Sequence, residues 1–304
     1  MKLGGKGPRA THTDPMWRGF RVSKLDHVEI WPPTGPPDAI WQSDGENEPI
    51  LDAFLRSSRV TCELYSHALR ESPLVGPRSM LRLGASVHEE LSSVEVSVDP
   101  KAPRDVPGEV GWVRLCRSVG ELTPTALSLL ALRVIDAAMR HLAPYRGWEI
   151  VELGRCYSKV VSRDFKFETC GPWKSSPDRR WRARTRYQLL SGTGFGTCRI
   201  ELEDTNRAHI PVVVGTPTPA FCSSEGFARS AKTLRWTSSS QVTVIPFCGQ
   251  GRALYLGLSS AVKSGDEWEF VHHSPVSVRQ PAGAGVASVH DRHSRLPDVT
   301  FKAW

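Results

Sequence analysis

Four arginines stand at every second position of RRWRARTRYQLL (179–190): Arg180, Arg182, Arg184 and Arg186. On a strand they share one face, with Trp181, Ala183, Thr185, Tyr187 and Leu189 on the other. A guanidinium grips phosphate or carboxylate through two parallel hydrogen bonds, so such a row is chemistry for anions. Arg179 and, from the loop before, Lys174 extend it. After the glycines of SGTGFGT (191–197) comes TCRIELED, where Cys198, Ile200 and Leu202 alternate with Arg199, Glu201 and Glu203. Both flanks read as strands, so the glycines mark a hairpin turning at Thr193-Gly194 or Gly194-Phe195. A phosphate-cradling glycine loop needs a helix behind it, and no GK[ST] is present. With Thr193-Gly194 as the turn, Arg186 faces Glu201 and Arg184 faces Glu203. Arg180 and Arg182 are then left without acids. The functional expectation is an anion-binding ridge that reads phosphates or lipid headgroups but not sequence. The bland expectation is a solvated, charge-laced sheet face.

Other chemistry is thinner. GLSSA (257–261) resembles a nucleophile elbow with Ala in the last place, and Ser259 is followed by Asp266, Asp291 and the histidines 272, 273, 290 and 293. Too little chain follows Ala261 for the rest of such a hydrolase. HDRH (290–293) lacks a helix pattern and a nearby Cys for a metal. Cys198 falls on the apolar strand face, and Cys222 has no assignable base. No catalytic residue, metal or cofactor is expected; a serine hydrolase using Ser259 stands as the alternative.

The elements around these residues follow from pattern. Thr123 caps and Pro124 opens a helix over 124–142, with Leu127, Leu130, Ala131, Val134, Ile135, Ala138 and Leu142 on one stripe and Arg133, Asp136 and Arg140 opposite. Pro144 and Gly147 end it. SSVEVSVD and GWVRLCRS read as strands before it, and WEIVELG (148–154) as a strand after it. ILDAFLRS reads as a short helix and RVTCELYSH as a strand. SKVVSRDFKFE, IPVVVG, QVTVIPF, RALYLGL and EWEFVHH read as further strands, and EGFARSAKTLRW as a short helix. The expected class is α+β: β-rich antiparallel sheets, one long amphipathic helix, a flexible basic and Pro-rich N-terminal arm and a disordered C-terminal tail. The expected divisions are 1–48 (arm), 49–155 (mixed lobe), 156–275 (β-rich lobe) and 276–304 (tail).

The formal net charge of the 304 residues is +7, which favours anionic partners. Within the arm, Lys2, Lys6 and Arg9 add to the candidate anion-binding set. Of the 39 basic residues most are Arg, and Asn appears only at Asn47 and Asn206, which is also the mark of GC-rich coding. The seven cysteines form no CxxC pair, and MKLGGKGPRATHTDP has no apolar core for a signal peptide, so reduced thiols in a cytoplasmic or nuclear protein are expected. No apolar run reaches membrane-spanning length.

The basic start, WPPTGPP, and then GWVRLCRS–helix–GWEIVELG followed by a hairpin resemble the layout of rhabdovirus-type matrix proteins. That resemblance implies coating of a membrane face, binding of ribonucleoprotein and self-association. It rests on the order of elements over 110–205 and the arm; no PPxY or PTAP motif is present. GTCRIELED followed by HIPVVV and QVTVIPF is similar to plant-virus movement proteins, which implies single-stranded nucleic acid as partner. Both point to a non-enzymatic protein that binds RNA or an anionic membrane.

Overall fold

A computed structural model describes residues 23–32, 49–101, 108–206, 211–245, 254–257, 261–264, 267–270 and 296–302. Lys2, Lys6, Arg9, Ser259, most of the arm and most of the tail lie outside the described residues. The chain is α+β. In order run β1 (Ser23–Leu25), β2 (His27–Trp31), α1 (Pro49–Glu71), β3 (Leu74–Gly76), β4 (Met80–Val87), β5 (Val94–Val98), β6 (Glu109–Leu115), a 3-10 turn (Arg117–Glu121), α2 (Pro124–Arg146) and α3 (Ile150–Ser162). Then come β7 (Lys166–Cys170), β8 (Lys174–Ser175), β9 (Trp181–Leu190), β10 (Gly196–Asp204), β11 (Val212–Ala220), α4 (Ser224–Thr233), β12 (Arg235–Ser238), β13 (Gln241–Val244), β14 (Leu254–Gly257), β15 (Ala261–Ser264), β16 (Glu267–Phe270) and β17 (Val299–Phe301).

The first sheet has the order β17-β5-β6-β4-β2. β2, β4 and β6 are parallel neighbours, β5 runs antiparallel to β6, and β17 runs parallel to β5. Val28, Ile30, Leu81, Leu83, Val94, Val96 and Val113 form its buried face against α1 and α2. The second sheet is β11-β10-β9-β7, with β8 beside β9. α1 packs on β2 and β4 of the first sheet and on β7 and β9 of the second, so one core runs from Leu25 to Ala231. The boundary expected at 155–156 falls inside α3.

Three expectations for single elements change. ILDAFLRS and RVTCELYSH form one 23-residue helix rather than helix then strand. α1 is buried nearly all round, so Val60, Thr61, Cys62, Glu63 and Leu64 are all inside, and the helical period that distinguishes helix from strand is lost. WEIVELG is not a strand. It opens α3, which buries Leu153, Cys156 and Val160 at helical spacing and runs through SKVVS. The unit over 111–154 is therefore strand–helix–helix and not strand–helix–strand. The helix expected at 124–142 continues through Pro144 to Arg146. Gly147, at φ 68°, then turns the chain into the left-handed region that Gly enters without strain. Two segments assigned to arm and tail are also structured, since β2 and β17 edge the first sheet.

Small polar residues let α1 sit this deep. Thr61 Oγ1 donates to Ser128 O at 3.0 Å and Ser128 Oγ to Ser57 O at 2.8 Å across the α1–α2 contact. Ser66 Oγ accepts the N–H of Val28 at 2.9 Å, satisfying a backbone donor on edge strand β2. At the far end of α2, Arg146 grips Glu109 at 2.6 and 2.9 Å, and Glu109 is 1% exposed. This buried pair ties the end of α2 to the start of β6.

Candidate functional site

The hairpin forms as expected, but its register is displaced by two residues. Arg184 faces Glu201, Arg182 faces Glu203 and Arg186 faces Arg199. The turn is a five-residue loop, 191–195, in which Gly192 (φ 76°) and Gly194 (φ 68°) both take left-handed backbone. Thr193 Oγ1 closes it by donating to the carbonyls of Leu190 and Phe195. A strand follows, so the loop has no helix N-terminus with which to hold phosphate.

The displacement changes which arginines face acids. Arg182 Nη2 lies 2.6 Å from Glu203, Arg184 Nε bonds Glu201, and Arg186 reaches Glu168 at 2.9 Å and Glu201 at 3.2 Å. Glu201 and Glu203 are 4% and 3% exposed beneath these guanidinium groups. Trp173 lies under two of them, 5.4 Å from Arg182 and 4.5 Å from Arg184. The carboxylates of Glu168 and Glu201 hold the Arg186 guanidinium above its ordinary range. The expectation that Arg182 lacks an acid is thus corrected: the middle of the row is a self-neutralised ladder.

Lys174 is not part of the ridge. It pairs with Ala183 and so falls on the apolar side of the sheet. Its ammonium donates to the carbonyls of Lys232 at 3.1 Å and Leu234 at 2.6 Å, fastening the end of α4.

Arg179 and Arg180 occupy a tight turn before β9. Arg179 has φ 60°, its N–H bonds Ser176 O, and Asp178 Oδ1 accepts from both Ser176 Oγ and the Arg180 N–H. Those bonds hold the Asp178 carboxyl below its ordinary range. Thr205 Oγ1 ties the carbonyls of Arg179 and Arg180 to the end of β10. Both side chains are exposed and make no ion pair among the described residues, although Arg180 lies 5.8 Å from the Trp181 ring. Arg199 is likewise exposed and without an ion pair among the described residues.

The apolar face is core. Tyr187 stacks on Phe227 with centroids 4.7 Å apart and donates to Ser230 Oγ at 2.7 Å. Burial pushes the Cys198 thiol up to about 12, which fits a packing residue and not a nucleophile. Among the described residues no three His, Cys, Asp or Glu side chains gather as metal ligands, and no helix is long and apolar enough to cross a membrane.

A second face was missed by sequence reasoning. The side of the first sheet away from α1 and α2 carries a row in register: Trp31 on β2, Gly84 on β4, Trp112 on β6 and Ser97 on β5. Arg82 and Glu29 pair beside it, as do Arg114 and Glu95. The alternation of HVEIW and GWVRL did show each Trp on the polar side of its strand. Nothing in the sequence told which strands would be neighbours.

No protein-family model matches the chain, and neither does any curated protein or solved structure.

Proposed function

We propose that the protein is a non-enzymatic polyanion-binding protein, with RNA as the polyanion, whose phosphate contacts on the folded body come from Arg179, Arg180 and Arg199. The observation that carries this reading is the contrast within one arginine row. Arg182, Arg184 and Arg186 already hold carboxylates, whereas Arg179 and Arg180 stand exposed on a turn fixed by hydrogen bonds. Neither side chain has an ion pair among the described residues to break before it meets a phosphate; Asp178 attracts Arg180 but bonds only its backbone N–H. Lys2, Lys6 and Arg9 add positive charge in sequence. The net charge of +7 supplies the long-range attraction.

The test is binding to single-stranded RNA and to anionic vesicles across a salt series. Arg179→Gln, Arg180→Gln and Arg199→Gln together should weaken RNA binding and lower the log–log salt slope by about 2, since each single-strand phosphate contact contributes roughly 0.7. Arg182→Gln and Arg184→Gln should change the slope far less. Equal slopes for the triple variant and the wild type would sink the assignment. Vesicle binding without RNA binding would move the partner from nucleic acid to lipid headgroups.

A further inference from the structure

We infer that the open face of the first sheet is a stacking platform for the bases of a single-stranded nucleic acid, with Trp112 as its central ring and the Trp31–Arg82 pair beside it. This rests on the polyanion reading above and extends it: cations hold the phosphates, and this face holds the bases.

The geometry begins at Gly84. A Cβ there would come within 2.5 and 2.6 Å of the six-membered ring of Trp112. Only glycine leaves room for that indole to lean across β4 toward β2. Trp112 is nevertheless 39% exposed, one of the few large apolar side chains left open among the described residues. Trp31 is two strands away, so the two Cα atoms are about 9.5 Å apart. The Arg82 guanidinium lies 4.3 Å from the Trp31 ring and presents a second flat surface.

This cluster is incompletely mated. Trp31 Nε1, Arg82 Nε and Glu29 Oε2 are enclosed and make no close hydrogen bond; Arg82 Nε pairs with Glu29 Oε2 at 3.6 Å, and Trp31 also helps to hold the Glu29 carboxylate. Buried polar atoms are seldom left so. Arg82 is held by this long pair and by the ring of Trp31. Arg114 contrasts with it, donating to Glu95 at 2.7 Å and to Glu90 at 2.9 Å.

The chemistry selects bases over phosphates. Glu29 and Glu95 lie beside the rings, and their carboxylates repel a phosphate that comes over this face. Cations stand at the margin instead: Lys302 is 3.6 Å from Glu95, and Arg117 makes only a solvent-exposed pair with Glu89. Exposed pairs of that kind are worth little, so a phosphate can displace the acid. Aromatic faces with a cationic border form the usual surface for unpaired nucleic acid.

The experiment is fluorescence anisotropy with a labelled oligouridylate of about 15 nucleotides, beside an abasic oligomer of equal length that has phosphates but no bases. Trp112→Ala should weaken the oligouridylate by roughly 5- to 150-fold, the value of one stacked base, and leave the abasic oligomer unchanged. Trp112→Phe should restore most of the loss, which separates stacking from a folding defect. If Trp112→Ala weakens both oligomers equally, or neither, the platform is overturned. If it weakens neither while the Arg179/Arg180/Arg199 variant weakens both, the polyanion reading survives alone. If the wild type binds neither oligomer, both readings fall.

Discussion

Two surfaces of this protein combine arginine with tryptophan, and they are built to opposite ends. On the β9–β10 hairpin Trp173 lies under Arg182 and Arg184, and Glu168, Glu201 and Glu203 take up every charge in the row from Arg182 to Arg186. On the first sheet Arg82 covers Trp31 and keeps only a 3.6 Å pair with Glu29, and Trp112 remains open beside a glycine. The number of cations does not distinguish them. The hairpin is richer in arginine and has less to offer an anion, because register placed an acid opposite Arg182 and Arg184 and left Arg186 within reach of Glu168 and Glu201. Whether a charged side chain is available to a ligand depends on what it already holds.

Perturbing that contrast should give graded results. Glu201→Gln removes the acid shared by Arg184 and Arg186. It should cost about 1.5–3 kcal/mol in urea unfolding, as expected for hydrogen bonds to a charged group. The same variant should bind RNA more tightly; unchanged affinity would mean that pairing is not what silences the ladder. Gly84→Ala forces a Cβ into the Trp112 ring and should cost about 1–3 kcal/mol through overpacking. Oligouridylate binding should fall with it, whereas the triple-arginine salt slope should not move. Trp173→Ala takes the platform from under two guanidinium groups that keep their acids. It should cost only about 0.5–1 kcal/mol and leave RNA binding intact.

The smallest effect is set by pH. His27 is raised above its ordinary 6.5, chiefly by its hydrogen bond to Glu29, with burial opposing. Glu63 adds to the rise and Arg70 opposes it. For Glu29, burial is the largest influence and raises its carboxyl, but the bond to His27 and the charges of His27 and Arg82 together hold it below its ordinary 4.5. The histidine contribution is complete below 6.5 and fades as pH climbs through its raised folded value. The glutamate contribution is complete above 4.5 and fades as pH falls through its lowered one. Both operate between these limits. His27→Gln should therefore cost less than about 1 kcal/mol, most near pH 5.5 and least near pH 8, in denaturation midpoints. A cost that grows toward pH 8 would exclude the pair as the cause.

Much of this was legible in the sequence. The alternation of RRWRARTRYQLL and TCRIELED determined a hairpin with one charged and one apolar face, because side-chain direction on a strand has period two. Thr123 and Pro124 marked the start of α2, because caps are local chemistry, whereas its end lies beyond the expected 142, at Arg146, with Pro144 inside the helix. The mixture of strands and helices fixed the α+β class. Other features were invisible. RVTCELYSH alternates like a strand and is helix, because α1 lies between two sheets and burial on every side hides its period. WEIVELG failed in the opposite sense, since two of its apolar residues, Ile150 and Val151, point outward at 46% and 62% exposed. Register is the deeper limit. A shift of two residues keeps every side chain on its face and changes only the partner, so pattern cannot detect it. Tertiary structure alone decided that Arg182 meets Glu203, that Lys174 belongs to the other face, and that Gly84 stands between Trp31 and Trp112. Those pairings are set by loop length and by which strands become neighbours, and both depend on the packing of the whole chain.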